Sequence, residues 1–310
     1  MFDVFLQTLP FFLVVGVGYG SGRTGFFTEA ATAWLTKFVF YFALSAMLFR
    51  FSANLSFAEV FDWTFVAAYL WGTAFVYLIA TLVALLRRLS IEETAIEAQC
   101  AAIGNTGFLG VPMLTLLLGQ AAIGPVMLVL AVDLIVFGSL VVILVTGSRD
   151  GRMSLGILRT VGLGLVKNPM IVSIVLGFAW SGLRLPIPEP MNQFLSILGG
   201  AATPGALFAI GASLASKSAE RPLVAGWLSF CKLVLHPAFV AVAALLLFPV
   251  EPFAAAVMIS AAALPVAGNV YILAQHYRVA PHRVSASILI STAGAVITVS
   301  LVIGWVSGLY

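Results

Sequence analysis

The sequence predicts an all-α membrane protein of ten transmembrane helices, and three observations support this fold class: composition, apolar runs and the distribution of basic residues. Of the 310 residues, 62% are hydrophobic and 9% are charged, and the mean hydropathy is +1.12. Soluble domains contain roughly 25% charged residues, so this chain has too few polar groups to cover a surface that faces water. Its apolar runs repeatedly reach the roughly 20 residues that a helix needs to cross a bilayer.

Apolar runs separated by polar breaks define the predicted spans. They cover approximately residues 4–20, 30–50, 62–86, 95–118, 121–145, 168–183, 191–214, 223–247, 252–275 and 284–309. The first is interpreted as an uncleaved span, because no basic residue precedes it and no small-residue cleavage site follows it. Cys100 and Cys231 lie within apolar runs, and we interpret them as small apolar side chains rather than as a disulfide.

The basic residues orient these spans. Eleven of the fifteen Lys and Arg residues lie in loops that follow odd-numbered spans, and two, Arg50 and Arg184, lie on the opposite side. Because positive charge is retained on the cytoplasmic side, both termini are predicted to face away from the cytoplasm of a bacterial-type inner membrane. This distribution accounts for the net charge of +3, so no nucleic-acid partner is predicted.

The longest predicted loop, residues 147–167, divides the chain into two units of five spans, residues 1–146 and 168–310. Its stretch from Met153 onward is predicted to lie along the cytoplasmic interface as an amphipathic helix. A shift of 159 residues aligns Pro10 with Pro169 in the second unit. Since five is an odd number, the two units cross the membrane in opposite senses. Such inverted repeats are typical of secondary transporters.

Spans 4 and 9 are interrupted at corresponding positions. Span 4 contains Gly104-Asn-Thr-Gly-Phe-Leu-Gly-Val-Pro112 and span 9 contains Leu264-Pro-Val-Ala-Gly-Asn269. Unwound backbone at this depth survives only where protein buries it or it lines a wet cavity, and half-helix N-termini attract anions. The alternative is a pair of packing kinks, since Gly and Pro are frequent in membrane helices. We favour an anion site, formed by Asn105, Thr106, Gly107, Pro112, Pro265, Gly268 and Asn269.

Three ionisable residues lie deep within predicted spans: Asp133 in span 5, and Lys232 and His236 in span 8. An ionisable group inside the membrane is a functional hypothesis by default. Asp133 is interpreted as a carboxylate that couples transport to H⁺ or Na⁺, with Lys232 as its partner or as an anion ligand. The alternative is a buried Asp133–Lys232 ion pair with a structural role. His236 is interpreted as a partner of a carbonyl freed by Pro237, with proton relay as the alternative.

The remaining polar features have simpler interpretations. Lys37 is expected to snorkel to the interface, with substrate contact as the alternative. Glu97 is expected to cap its helix or to pair with Arg87 or Arg88. Gly18-x-x-x-Gly22 predicts close helix packing.

Enzymatic activity is not predicted. The sequence contains no H-E-x-x-H motif and no P-loop lysine motif, and Asp133 is the only carboxylate deep within a predicted span. We therefore expect no catalytic residue, no metal site and no cofactor, apart from H⁺ or Na⁺ as a coupling ion.

Several segments together resemble one known family. They are Leu9-Pro-Phe-Phe, the two interrupted motifs, Lys232-Leu-Val-Leu-His-Pro237 and Gln275-His-Tyr277. The sequence resembles the auxin efflux carrier family, in its bacterial branch, within the bile acid/sodium symporter-like fold superfamily. The resemblance implies that spans 4 and 9 cross at their breaks. It also implies dimers formed through a scaffold of spans 1, 2, 6 and 7, and an elevator-like transport unit of spans 3–5 and 8–10.

The sequence thus predicts a secondary carrier for a small organic anion, working by alternating access. The resemblance suggests malate, malonate or an indole-type acid as the substrate. One alternative is a sodium-coupled symporter of the bile-acid-transporter type. The other is a sensor or binding protein that retains the carrier fold without moving a substrate.

Overall fold

Thirteen main helices make up the fold. The computed structural model describes residues 2–150, 155–216 and 222–309, and this part of the chain is helical, without a β-strand. The helices are α1 (Phe2–Arg23), α2 (Glu29–Ala53), α3 (Trp63–Leu86), α4 (Ile91–Ala102), α5 (Thr106–Leu118), α6 (Gln120–Arg149), α7 (Leu155–Lys167), α8 (Pro169–Gly182), α9 (Glu189–Ala215), α10 (Pro222–Leu247), α11 (Pro252–Ala262), α12 (Gly268–Tyr277) and α13 (Pro281–Val306).

Seven helices are long and apolar enough to cross a membrane: α1, α2, α3, α6, α9, α10 and α13. They coincide with predicted spans 1, 2, 3, 5, 7, 8 and 10. Predicted span 6 coincides with α8, which is bent by 69° relative to α7. Predicted spans 4 and 9 are each divided into two shorter helices, α4 with α5 and α11 with α12. The all-helical membrane fold is therefore confirmed.

The predicted loop between spans 5 and 6 is largely helical. Helix α6 extends into it, and α7 occupies its second half. Met153, where the predicted amphipathic helix begins, lies outside the described residues.

Polar side chains cap the starts of five helices, as expected where the first backbone N–H groups of a helix lack partners. Thr28 caps α2, Asp62 caps α3 and Ser90 caps α4. Asn168 and Glu251 do the same for α8 and α11. The polar residues that separate the apolar runs of the sequence therefore lie at the ends of helices.

Glycines bring α1, α2, α8 and α9 into direct backbone contact. A Cβ atom at Gly18 would overlap the carbonyl oxygen of Phe208, and one at Gly22 would lie 2.6 Å from Ala215 Cβ. A Cβ atom at Gly177 of α8 would lie 2.7 Å from the carbonyl oxygen of Phe49. The predicted packing role of the Gly18–Gly22 motif is confirmed.

The remaining spans form a second group, in which α3, α4, α6, α10, α11 and α13 pack on one another. Gly72 of α3 lets its backbone approach Val240 of α10, where an added Cβ would lie 2.7 Å from Val240 Cα. The two groups are also joined by polar side chains. One such contact is the buried 2.6 Å hydrogen bond between the hydroxyls of Thr8 and Ser300.

A cluster of ion pairs joins α4 to the end of α3 and the start of α13. Arg87 lies 2.7 Å from a carboxylate oxygen of Glu97, so the predicted pairing is confirmed. Arg283 lies 2.5 Å from the other oxygen of Glu97 and also bonds Glu93. Arg283 is one of the eleven basic residues assigned to loops, and its expected position in a loop is corrected: it is 8% exposed, because two carboxylates of α4 hold it against the bundle.

Candidate functional site

The breaks in the two interrupted spans lie against each other. Gly104, between α4 and α5, forms an antiparallel bridge with Val266, between α11 and α12. The amide of Asn105 donates a 2.8 Å hydrogen bond to the carbonyl of Pro265, and the amide of Ala267 donates a 3.1 Å bond to the carbonyl of Ile103. Each break thereby supplies partners for backbone groups that the other leaves free, which the low-dielectric interior of a bilayer requires.

Glycines allow the close approach at this crossover. A Cβ atom at Gly104 would lie 3.2 Å from Lys232 Cε, and one at Gly110 would lie 2.6 Å from Leu264 Cδ1. A Cβ atom at Gly107 would overlap the Met170 side chain. Gly268 differs, because nothing lies within 4 Å of the position its Cβ would occupy.

The residues predicted to form an anion site are gathered at the crossover. Asn105, Thr106, Gly107, Pro112 and Pro265 are buried, whereas Gly268 and Asn269 are half-buried. The side-chain oxygen of Asn269 is itself buried and has no hydrogen-bond partner among the described residues. Buried polar atoms normally have one, so this amide is available to a ligand.

Two cavities lie towards opposite ends of α2. The larger, of about 430 Å³, is lined by Lys37, Phe108 and Asn269. The smaller, of about 260 Å³, is lined by Arg50 and Pro112. The larger cavity therefore reaches the crossover at Asn269, the smaller one is lined by α5 from Pro112 onward, and α2 contributes one cation to each.

Asp133 is linked to the break of span 4. The hydroxyl of Thr106 donates to one carboxylate oxygen of Asp133 at 3.4 Å, and the hydroxyl of Tyr69 donates to the other at 2.8 Å. Asp133 is 3% exposed and begins a π-helical turn in α6. Such turns are frequent at functional sites.

Lys232 is linked to the break of span 9. Its Nζ donates a 2.5 Å hydrogen bond to the carbonyl of Ala262, the last residue of α11, and lies 2.9 Å from His236 Nδ1. Within the described part of the chain, no carboxylate oxygen of Asp133 lies within 4 Å of this amine. The structure thus holds the two charges at different breaks rather than as a direct ion pair.

The interpretation of His236 is also corrected. Its ring nitrogens contact Lys232 and the hydroxyl of Thr73, at 3.0 Å from the latter, rather than a carbonyl freed by Pro237. The i, i+4 spacing places the imidazole directly over the lysine on one face of α10.

Sequence reasoning missed Tyr69, which donates to Asp133, and Thr73, whose hydroxyl bonds His236. They are four residues apart on α3, so they share one helix face. Two polar side chains four residues apart in an apolar span could have identified this face as one that contacts buried polar groups. Lys37 is exposed, and its Nζ lies 4.4 Å from the centre of the Trp34 ring, as a side chain directed towards an interface would.

Comparison with known proteins places the chain among transporters. The sequence profile of the family described as "Membrane transport protein" matches residues 3–154 and 148–303. A protein of Rhizobium meliloti (strain 1021), provisionally named a malonate transporter, is 30% identical over 299 residues, covering 94% of this chain and 92% of that protein.

Two further relatives are more distant. "Uncharacterized transporter YfdV" of Escherichia coli (strain K12) is 25% identical over 307 residues and 94% of both chains. "Lysosomal cholesterol signaling protein" of Mus musculus is 28% identical over 227 residues, or 69% of this chain but 26% of the mouse protein. The chain is therefore a multi-pass membrane transporter and not an enzyme, and it belongs to the membrane transport protein family, that of the auxin efflux carriers.

Proposed function

We propose that the chain is a secondary carrier that moves a small carboxylate of the malonate or malate type, binding it at the crossover of the two interrupted spans. The observation that carries this proposal is the backbone bridge between Gly104 and Val266, together with one cavity lined by Asn269 and a second lined by Pro112. An alternating-access carrier needs one site that can be reached from two sides in turn. The relative named for malonate supports the substrate class.

The chemistry of the crossover suits an anion. Asn105 and Asn269 supply neutral amides, and within the described part of the chain no side chain caps the start of α5 or of α12. The positive ends of these helix dipoles favour a carboxylate.

The packing of the spans supports an elevator-like movement. Spans 1, 2, 6 and 7 (α1, α2, α8 and α9) are joined by close glycine contacts and form the scaffold in this proposal. Spans 3–5 and 8–10 form the transport unit and hold the crossover. In this proposal the chain crosses the membrane ten times, as two inverted units of five spans, residues 1–146 and 168–310.

Asp133 is the proposed coupling residue. Its link through Thr106 to the break of span 4 would let protonation or cation binding alter the geometry of the site. Lys232 and His236 would balance the charge at the break of span 9. The coupling ion in this proposal is H⁺ or Na⁺. An anion leaving an inside-negative cell can also be driven by the membrane potential, at about 2.3 kcal/mol per charge per 100 mV.

The basic loops support a location in a bacterial inner membrane with both termini outside the cytoplasm. Homodimers through the scaffold are part of the same proposal, with the lipid bilayer as the other partner. Exposed apolar side chains on α1 and α2, among them Leu13 and Trp34, offer surface for lipid or for a second copy.

Charge movement in proteoliposomes on a solid-supported membrane tests the proposal. Concentration jumps of malonate, malate and indole acetate, with and without sodium, would be applied to the wild type and to Asn105→Ala. Saturable currents that Asn105→Ala abolishes are expected. Dependence on sodium would favour a symporter of the bile-acid-transporter type.

Exchange of radiolabelled malonate across the proteoliposome membrane detects electroneutral transport, which produces no current. Absence of both current and exchange, combined with stabilisation of the protein by malonate, would replace transport with a sensor role. Absence of all three responses would refute a carboxylate ligand.

A further inference from the structure

The smaller cavity contains a cation that transport at the crossover does not use. Arg50 lies near the end of α2 and is half-buried, and its Nε donates a 2.9 Å hydrogen bond to Asn192 Oδ1 of α9. Among the side chains that the structure describes, no carboxylate lies within 4 Å of this guanidinium. Arginine in such a setting normally pairs with an anion.

The geometry leaves the rest of the guanidinium available. Asn192 occupies Nε, so it fixes the side chain while the two terminal NH₂ groups make no hydrogen bond within the described residues. A planar guanidinium held in this way presents two parallel N–H donors, which is the arrangement that binds a carboxylate with two hydrogen bonds.

A second polar atom of the same cavity also lacks a partner. Thr115 of α5 lines the cavity, and its hydroxyl oxygen is buried without a hydrogen bond to any described residue. The volume of about 260 Å³ lies just below the roughly 300 Å³ at which pockets for drug-sized ligands begin. The cavity therefore suits a smaller ligand.

The larger cavity repeats this combination. It is lined by Lys37 of α2 and by Asn269, whose side-chain oxygen is also buried without a hydrogen-bond partner among the described residues. Lys37 and Arg50 are about 20 Å apart along α2, at about 1.5 Å per residue. One helix of the proposed scaffold thus supplies a cation to each cavity.

We propose that Arg50 and Thr115 form a carboxylate subsite in the smaller cavity, which receives the anion on the extracytoplasmic side of the crossover. This inference rests on the proposed transport function, because it gives the anion a binding step between bulk solvent and the crossover. The competing explanation is that Arg50 only joins α2 to α9 through Asn192.

Transport measured from each side separates the two explanations. Uptake of radiolabelled malonate would be measured in right-side-out and inside-out membrane vesicles for Arg50→Gln, Arg50→Lys and Arg184→Gln. Arg184 is exposed and lines neither cavity, so Arg184→Gln controls for the loss of one positive charge on the same predicted side.

For Arg50→Gln we expect KM to rise about tenfold or more in right-side-out vesicles, the equivalent of one charge-assisted hydrogen bond. Little change is expected in inside-out vesicles. Arg50→Lys should lie between Arg50→Gln and the wild type, and Arg184→Gln should match the wild type. Unchanged KM, or equal changes on both sides, would overturn the subsite.

A binding measurement makes the test independent of transport. Ser196 is exposed and lines the same cavity, whereas Cys100 and Cys231 are 0% exposed, so Ser196→Cys supplies one accessible thiol. Malonate should slow labelling of this thiol by a maleimide in detergent when Arg50 is present, and not in the Arg50→Gln background. Labelling that malonate does not affect would refute the subsite.

The two experiments fail in different ways. If no carboxylate is transported, the proposed function fails, and protection of the Ser196→Cys thiol still decides whether the subsite exists. If malonate is transported but Arg50→Gln alters neither KM nor protection, the function stands and the subsite is wrong. If Arg50→Gln does not yield a monodisperse protein, the same KM and thiol-protection measurements are made on Thr115→Val.

Discussion

The hydroxyl of Thr106 and the carboxylate of Asp133 lie 3.4 Å apart, so the break of span 4 is tied to a buried charge on the next span. The break of span 9 is tied to a charge as well, since Lys232 donates to the carbonyl of Ala262. The crossover therefore has an anionic and a cationic support, one for each break. A change in either charge is therefore expected to alter the backbone geometry of the crossover.

Replacement of Asp133 by Asn removes the charge and preserves the shape of the side chain. We expect malonate transport to slow about tenfold or more, the equivalent of a lost charge-assisted hydrogen bond, and to lose its dependence on pH or sodium. Currents recorded at several pH values, with and without sodium, provide the measurement. Wild-type ion dependence in Asp133→Asn would exclude Asp133 as the coupling residue.

Tyr69→Phe removes the stronger of the two hydrogen bonds to Asp133. Because one carboxylate oxygen then loses its partner in a buried site, we expect a destabilisation of about 1–3 kcal/mol. A thiol-reactive fluorophore measures this, since Cys100 and Cys231 are buried and become reactive on unfolding. Tyr41→Phe, at an exposed position, is the control and should leave the unfolding temperature unchanged.

Gly211→Ala tests the contact between α1 and α9. A Cβ atom at Gly211 would overlap the carbonyl oxygen of Val15, which is backbone and cannot rotate away. Overpacking of this kind costs about 1–3 kcal/mol, so the unfolding temperature should fall. Gly16→Ala is a matched control on α1, because nothing lies within 4 Å of its added Cβ. A greater loss of stability for Gly16→Ala than for Gly211→Ala would contradict this packing.

Arg283→Gln tests the ion cluster that joins α4 to α13. Glu97 would keep Arg87 as a partner, so we expect a loss of about 1–3 kcal/mol, less than the 3–5 kcal/mol typical when a buried pair is broken completely. Thermal unfolding of the variant at neutral pH provides the measurement. Arg278→Gln, an exposed cation in the nearby turn, is the control. An unchanged unfolding temperature for Arg283→Gln would show that Arg87 alone satisfies Glu97.

The same cluster gives stability a defined pH dependence. Glu93 precedes predicted span 4; burial raises the pKa of its carboxyl, but the hydrogen bond and charge of Arg283 outweigh burial and hold the pKa below its ordinary value. A carboxyl whose pKa is lower in the folded state contributes stability above its unfolded pKa and loses it as the pH falls through the folded pKa. Acidification below about pH 4 should therefore destabilise the wild type more than Arg283→Gln. An identical acid response in the two proteins would contradict this origin.

Much of the fold could be predicted from the chain, because the bilayer imposes its requirements locally. A run of apolar residues of sufficient length must form a helix, since every backbone group needs a partner inside the same segment. The breaks at Gly104–Pro112 and Leu264–Asn269 were visible for the same reason, because Gly and Pro cannot maintain that pattern. The packing role of Gly18 and Gly22 also follows from spacing alone.

The partners of the buried charges could not be read from the chain, because they depend on which faces of distant helices meet. Asp133 and Lys232 have similar depth in their spans, and depth alone is compatible with a mutual pair. In the structure Asp133 instead accepts hydrogen bonds from Tyr69 and Thr106. Lys232 contacts His236, which bonds Thr73. Arg283 was among the eleven basic residues assigned to loops for the same reason, since its partners Glu93 and Glu97 lie far away in the sequence. The depth of a residue in its span follows from the local sequence. Which residues it contacts on other helices depends on how each helix is rotated about its axis, and that rotation is determined by the packing of all the side chains together.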